Sequence, residues 1–205
     1  MVAFDCVGAR AERYAVAPTM TLELRITGEA RVEAIALRCQ IRIEPNRRRY
    51  NTSEGERLHD LFGTPDRWAD TLKPLQLANL SVMVPSFTGS TTVDLPLPLT
   101  YDMEIATTKY FQGLDDGVVP LLLLFSGTIF TSVEGRLRVE QIPWSKEATH
   151  PLPVKVWREA VDINFPNSAW LPLHRETLEK LRTYKTRNSL PTWESVLEAL
   201  LKTEE

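Results

Sequence analysis

The stretch that decides the fold is VVPLLLLFSGTIF, residues 118–130, which opens with eight apolar residues in a row. A turn-forming segment, QGLDDG, precedes it, and the polar SGT ends the run far short of the ~20 residues of a membrane span. A short apolar run between turn signals is typical of a strand covered on both faces. We therefore predict a central β-strand with Leu122 and Leu124 in the core. The alternatives are the wall of a ligand pocket and a membrane contact.

Two earlier segments alternate apolar and polar residues as half-buried strands do. These are TMTLELRITG at 19–28 and VEAIALRCQIRIEP at 32–45. A short connection around 29–31 separates them, which predicts an antiparallel pair. After the central strand, a turn at 134–135 predicts a hairpin that returns as RLRVEQIPW.

The remaining β-like segments are less regular. We interpret the first dozen residues as a loose arm. The proline-rich LPLPL at 95–99 belongs at a sheet edge, because proline cannot donate to a strand ladder. Alternation over 101–108 predicts a further strand, in which Tyr101, Met103, Ile105 and Thr107 share a face.

Helical spacing appears in SEGERLHDLFG and in the last third of the chain. In PTWESVLEALL an apolar stripe follows Thr192, a natural N-cap, and we expect Trp193 to be buried. These patterns predict an α+β fold: an antiparallel β-sheet or sandwich core with a short helical insertion and C-terminal helices. We assign one domain over 1–205, with a β-rich part at 18–150, the helical insertion at 54–72 and a helical C-terminal part at 154–203.

Composition restricts the class of partner. The 205 residues carry a net charge of −3, which provides no broad basic field and argues against nucleic acid as a partner. No segment is long and apolar enough for a membrane span, and the N-terminus lacks the basic region of a secretory signal. We expect a soluble, cytoplasmic protein whose Cys6 and Cys39 are free thiols, a disulfide between them being the alternative.

No motif in the sequence identifies a reaction. The three histidines are far apart and show no zinc or iron spacing. Neither a phosphate-binding glycine loop nor a serine nucleophile elbow is present. The pair Asp115-Asp116 lies in a turn, where aspartate is common for conformational reasons. We therefore assign no catalytic, cofactor-binding or metal residue and no cofactor, and we favour a protein that is not an enzyme.

The sharpest charge cluster is NRRRY at 46–50. Its arginines follow a strand whose polar face adds two more, and guanidinium groups suit carboxylates and phosphates. A solvated loop, an acidic protein partner and a small anion or nucleic acid all fit this pattern. We predict that the cluster docks a protein. The candidate docking residues are Arg38, Arg42, Arg47, Arg48 and Arg49.

Several phrases, in order along the chain, resemble an uncharacterised bacterial domain family of about this length. They are YFQGLDDGVVPLLLLFSGTIF, IPW, VWREAVD, FPNSAWLPL and LPTWESVLEALL, and the resemblance covers about Leu24 to Leu201. Members of that family are encoded beside NiFe-hydrogenase structural and maturation genes and have no assigned activity. The resemblance therefore implies an accessory or assembly role.

The leading hypothesis is a non-catalytic protein-interaction or assembly module with a protein partner, connected to a NiFe-hydrogenase system. The alternative is a small-ligand-binding protein with an apolar pocket between sheet and helices. The sequence leaves a homo-oligomer open.

Overall fold

The computed structural model describes residues 2–99, 105–133, 136–166 and 173–202. Its strands are β1 (Val2–Ala11), β2 (Thr19–Ile43), β3 (Leu75–Val84), β4 (Phe87–Pro98), β5 (Val118–Val133), β6 (Arg136–Gln141) and β7 (Glu147–Pro153). Its α-helices are α1 (Thr52–Arg57), α2 (His59–Phe62), α3 (Trp68–Thr71), α4 (Ile105–Gly113), α5 (Val154–Asn164), α6 (Arg175–Arg187) and α7 (Trp193–Leu201). The strands form one seven-stranded antiparallel sheet, which confirms the predicted α+β class.

The chain divides into two compact units, Met1–Pro166 and Asn167–Glu205. The first holds the sheet and helices α1 to α5. The second holds α6 and α7, which contact each other. The assignment of a single domain over 1–205 stays a prediction.

Strand β2 is one continuous strand of 25 residues, so the prediction of two separate paired strands is wrong. Its first half pairs with β1 and β4, and its second half pairs with β3 and β5. The change of partners falls at Gly28–Val32, where the register with β4 shifts. The connection at 29–31 that looked like a turn is exposed and extended. Pairing with β1 and β4 reaches Gly28 on one side of it, and pairing with β4 and β5 resumes at Val32 on the other.

Strand β5 is central, as predicted: it pairs with β2 on one side and with β6 and β7 on the other. Its buried leucines, however, are Leu121 and Leu123, whereas Leu122 and Leu124 are only half-buried on the opposite face. The prediction of Leu122 and Leu124 as core residues is therefore wrong. A run of four leucines has no period, so the sequence does not show which face meets the core.

The core lies between the two halves of the sheet, which folds over on itself. Phe4 of β1 stacks on Phe125 of β5, with ring centroids 4.6 Å apart. On β2 the core face carries Met20, Leu22, Leu24 and Ile26 in the first half and Ile35, Leu37, Cys39, Ile41 and Ile43 in the second. These are the faces that the alternation predicts.

Two other predictions are wrong. The first dozen residues are not a loose arm, because Val2–Ala11 forms β1 against the first half of β2. The predicted strand over 101–108 is replaced from Ile105 by helix α4, while Tyr101 and Met103 lie outside the described residues. Helix α4 contributes Tyr110 and Phe111 to the core, and this tertiary packing overrides the local alternation.

The helical insertion is confirmed by α1, α2 and α3, which lie within Thr52–Thr71. Asn51 caps α1: its side chain accepts from Glu54 N, and the Glu54 side chain accepts from Asn51 N. The proline-rich strand β4 pairs only with β2 among the described strands, as expected of an edge. The turn at 134–135 lies outside the described residues, but β5 and β6 pair as the predicted hairpin.

In the second unit, Thr192 caps α7 as predicted, its hydroxyl accepting from Ser195 N. Of the apolar stripe, Val196 is buried, whereas Trp193 is 43% exposed. The expectation of a buried Trp193 is therefore wrong. The indole instead lies beneath Lys185, whose Nζ is 6.0 Å from the ring centroid.

Among the described helices, none combines the length and the apolar character required to cross a membrane.

Candidate functional site

Arg38 and Arg42 lie on the face of β2 that points away from the core. They are four residues apart, so their Cα atoms are about 13 Å apart along the strand. Arg38 is exposed and Arg42 is half-buried. Within the described residues neither guanidinium makes an ion pair or a side-chain hydrogen bond. Both charges are therefore free to meet an anionic partner.

The neighbours of these arginines across the sheet are uncharged. Arg38 lies between Ser81 of β3 and Ser126 of β5, and Arg42 lies between Gln76 and Leu122. Between them Gln40 Nε2 donates to Gln76 Oε1 at 2.6 Å. We call this surface the arginine face, defined by Arg38, Gln40, Arg42, Gln76, Asn79, Ser81, Leu122, Leu124 and Ser126.

Arg47 and Arg49 extend the positive charge beyond the end of β2. Arg47 ends the short 3-10 helix Pro45–Arg47, and Arg49 follows in the loop before α1. Both are exposed, and neither has an ion-pair partner in the described part of the chain. The structure thus brings Arg38 and Arg42 together on one strand face and leaves Arg47 and Arg49 as accessible charges in the adjoining loop.

Arg48 points inward, unlike the arginines beside it. Its Nη2 lies 2.5 Å from Glu54 Oε1 and donates to Asp116 O at 2.6 Å, and its Nη1 donates to Val118 O at 2.8 Å. The side chain is only 9% exposed. The inclusion of Arg48 in an accessible docking surface is therefore wrong, because this guanidinium ties the loop after β2 to the start of β5.

Glu54 is the hub of this buried network. Besides Arg48 it accepts from Asn51 N at 3.1 Å and from Asp115 N at 3.0 Å, so its carboxylate is well satisfied. The Asp115 carboxylate accepts from Asn51 Nδ2 and pairs with Arg57, and these partners hold its pKa below the usual range. Asp115 thus anchors α1 to the turn before β5, and its ionised form serves structure rather than acid–base chemistry.

A pair of tyrosines adjoins the network. The hydroxyls of Tyr50 and Tyr110 lie 2.8 Å apart, and Tyr50 also donates to Pro45 O at 2.8 Å. Burial raises the pKa of Tyr50 to about 12 and also raises that of Tyr110. Both phenols are therefore neutral at ordinary pH and act as hydrogen-bonding core residues.

The cysteines and histidines form no reactive site in the described residues. Cys6 and Cys39 are free and buried, and burial raises their pKa values to about 11 and about 12. A thiol held neutral in this way is a weak nucleophile. Nδ1 of His150 lies 3.1 Å from Cys6 O. Among the described residues, no group of three or more His, Cys, Asp and Glu side chains could hold a metal ion.

Sequence reasoning missed a set of exposed apolar side chains on the same side of the sheet as the arginines. In β6, Val139 pairs with Phe130 of β5, which pairs with Ala34 of β2, so these residues share the face that carries Arg38. Met83, Leu137 and Val139 are 64%, 66% and 56% exposed. The alternation of β6 was visible in the sequence, but it could not show that Leu137 and Val139 stay exposed.

The described surface also has shallow depressions that are widely open to solvent. One, of about 250 Å³, is lined by Arg57, Asp60, Leu61, Lys109, Gln112 and Gly113. Its charged rim is already paired, because Lys109 Nζ lies 2.8 Å from Asp60 Oδ2. This polar depression does not resemble the apolar pocket of a small-ligand-binding protein.

These features define an α+β protein whose antiparallel sheet presents unpaired arginines and exposed apolar side chains on one face. The chain belongs to a family of unknown function, DUF6084, which matches residues 1–205. No curated protein matches the chain.

Among solved structures, the chain is similar to a β-glucosidase from Kluyveromyces marxianus at 11% identity and a TM-score of 0.27. The match covers 74% of this chain and 15% of that enzyme. It is also similar to β-glucosidase 3B from Thermotoga neapolitana at 11% identity and a TM-score of 0.26, over 73% of this chain and 17% of that one. The chain thus spans less than a fifth of these enzymes, and the similarity is too low to carry an argument about fold or function.

Proposed function

We propose that this protein is a non-catalytic interaction module that binds an acidic segment of a protein partner on the arginine face. The observation that carries the proposal is the pair of unpaired guanidinium groups of Arg38 and Arg42 on an open sheet face. A guanidinium fork forms bidentate hydrogen bonds with carboxylates and is weakly hydrated, so it suits a protein interface.

The surroundings favour a protein over a polyanion such as nucleic acid. The chain has a net charge of −3, so the positive charge is local and not part of a broad basic field. Exposed apolar side chains, among them Met83, lie on the same side of the sheet as the arginines. Protein interfaces combine arginine with such apolar contacts.

The identity of the partner is a further part of the proposal. The sequence resemblance connects the family with NiFe-hydrogenase genes, and on that basis alone we propose a partner in hydrogenase assembly. We place this role in the cytoplasm, because buried free thiols suit a reducing compartment.

The test is capture of partners from cells of the native host by the tagged protein, with and without the substitutions Arg38→Glu and Arg42→Glu. We expect the double variant to lose a partner that the wild-type protein retains at low salt, since two attractive charges become repulsive. Both residues point away from the core, so the variant should unfold at the same temperature as the wild type.

The matched control is Arg175→Glu with Arg187→Glu, which makes the same change in net charge on exposed positions of α6. We expect this control to retain the partner. Equal loss from both variants would show that net charge alone controls binding, and retention by both would rule out the arginine face as the docking surface.

A further inference from the structure

Strand β6 is an open sheet edge. All six of its residues are exposed, and among the described strands it pairs only with β5. In the edge strand β4, Pro96 and Pro98 have no backbone N–H groups to donate to a further strand. Strand β6, in contrast, contains no proline and no bulge against β5. An unprotected edge of this kind is a template for pairing with another strand.

The register shows which backbone groups of β6 point outward. Ile142 N donates to Gly127 O at 2.9 Å, and β5 and β6 continue in regular antiparallel register from Thr128–Gln141 to Val133–Arg136. Hydrogen-bonded and non-hydrogen-bonded pairs alternate along an antiparallel ladder. The backbone N–H and C=O groups of Arg138 and Glu140 therefore form hydrogen bonds with β5. The backbone N–H and C=O groups of Leu137, Val139 and Gln141 point to the open edge.

We propose that β6 pairs in antiparallel fashion with β6 of a second copy of this chain, about a two-fold axis at Val139. In this register each Val139 faces its counterpart, and each Leu137 faces Gln141 of the second copy. Three outward-bonding positions on each strand are then matched, which provides about six backbone hydrogen bonds. Within one strand Arg138 Nε already lies 2.7 Å from Glu140 Oε1. In this register each Arg138 also lies directly opposite Glu140 of the second copy, so the two ion pairs join into one network of alternating charge.

The same charges oppose the neighbouring registers. A slip by two residues in one direction sets Arg138 against Arg138, although it also sets each Arg136 against Glu140 of the second copy. A slip in the other direction sets Glu140 against Glu140. Like charges directly opposite each other destabilise a strand pair. Of these three registers, the proposed one is the one that has two opposite-charge pairs and no like-charge pair. This charge complementarity favours a second copy as the occupant of the edge.

Pairing of this kind has a consequence for the shape of the surface. Side chains directly opposite each other in a ladder lie on the same face, and Val139 shares its face with Phe130, Ala34 and Arg38. The two copies would form one continuous sheet with both arginine faces on the same side. The dimer itself does not depend on the proposed function, because β6 and the arginine face are separate surfaces.

The first experiment is sedimentation equilibrium of the full chain and its charge variants. We expect the wild-type chain to dimerise at micromolar concentrations. Glu140→Lys should raise the dimer dissociation constant by at least about tenfold, because two like-charge pairs replace two attractive pairs. The reversed pair Arg138→Glu with Glu140→Arg restores complementarity and should restore the dimer. A wild-type chain that stays monomeric, or a dimer that Glu140→Lys does not weaken, would overturn the proposal.

The second experiment tests the register by oxidative cross-linking. Val139→Cys places two thiols opposite each other at the two-fold axis, within the Cα separation that a disulfide tolerates. Leu137→Cys is the matched control, because the two introduced thiols would be about 14 Å apart along the strands. Native Cys6 and Cys39 are buried and should not react. Covalent dimers from Val139→Cys alone would support the register, and equal cross-linking of both variants, or of neither, would refute it.

Discussion

Arg48 Nη2 lies 2.5 Å from Glu54 Oε1 in a site where the two side chains are only 9% and 4% exposed. The pair joins the loop after β2 to the N-terminal turn of α1. The Arg48 Nη atoms also donate to the carbonyls of Asp116 and Val118, whereas Nε is buried without a hydrogen-bond partner. An ion pair so well enclosed differs from the exposed pairs of this protein, because removing either partner leaves a charge in a poorly solvated place.

Glu54→Gln should therefore destabilise the fold by about 3–5 kcal/mol, since it leaves the Arg48 guanidinium buried without its counter-charge. Urea unfolding followed by circular dichroism measures the loss. The control is Glu176→Gln, which breaks the exposed pair with Lys180 and should leave the midpoint unchanged. A variant Glu54→Gln as stable as the wild type would refute this account.

The two faces of β5 should respond differently to truncation. Leu123 is completely buried, so Leu123→Ala should cost about 2–5 kcal/mol through lost burial and a residual cavity. Leu122→Ala, on the half-buried face, removes the same atoms and should cost clearly less. Equal losses in the two variants, measured by chemical denaturation, would show that both faces of β5 are covered.

Gly127 marks a close approach of β5 to β2. Its φ is +130°, and a Cβ atom at this position would lie 1.9 Å from Ala36 O. Gly127→Ala should therefore destabilise the fold severely, because a backbone atom has to move. Gly89→Ala is the control: its φ of +78° imposes only conformational strain of about 1–2 kcal/mol, and the space around it is open. Thermal unfolding of both variants checks the order, and a milder effect at Gly127 would contradict it.

Alkaline pH should weaken the fold through its buried thiols. Burial raises the pKa of Cys6 from 9.0 to about 11 and that of Cys39 to about 12, so the folded chain keeps protons that the unfolded chain releases. The contribution to stability is fully present below about pH 9 and is lost as the pH rises through about 11 to 12. The double variant Cys6→Ala with Cys39→Ala should lose less stability between about pH 8 and about pH 11 than the wild type. Identical pH slopes in urea unfolding would refute a role of the thiols.

Much of the architecture could be predicted from local pattern alone. Alternation assigned the buried face of β2, the turn before residue 118 located the central strand, and the cap at Thr192 located α7. These signals act within a few residues, where backbone geometry and side-chain period determine which conformation forms. The arginines of the candidate site were also visible in the sequence.

The tertiary structure decided the rest. It turned two predicted strands into the single strand β2, and it made Leu121 and Leu123 rather than Leu122 and Leu124 the core residues of β5. It also separated Arg48 from Arg47 and Arg49, although the three are chemically identical and adjacent in sequence. The physical reason is the same in each case. Whether a side chain is buried, paired or free depends on which distant residues lie beside it in the folded chain. Arg48 is enclosed because the Glu54 carboxylate and the carbonyls of Asp116 and Val118 surround its guanidinium. Arg38 remains unpaired because its neighbours in the sheet, Ser81 and Ser126, carry no negative charge.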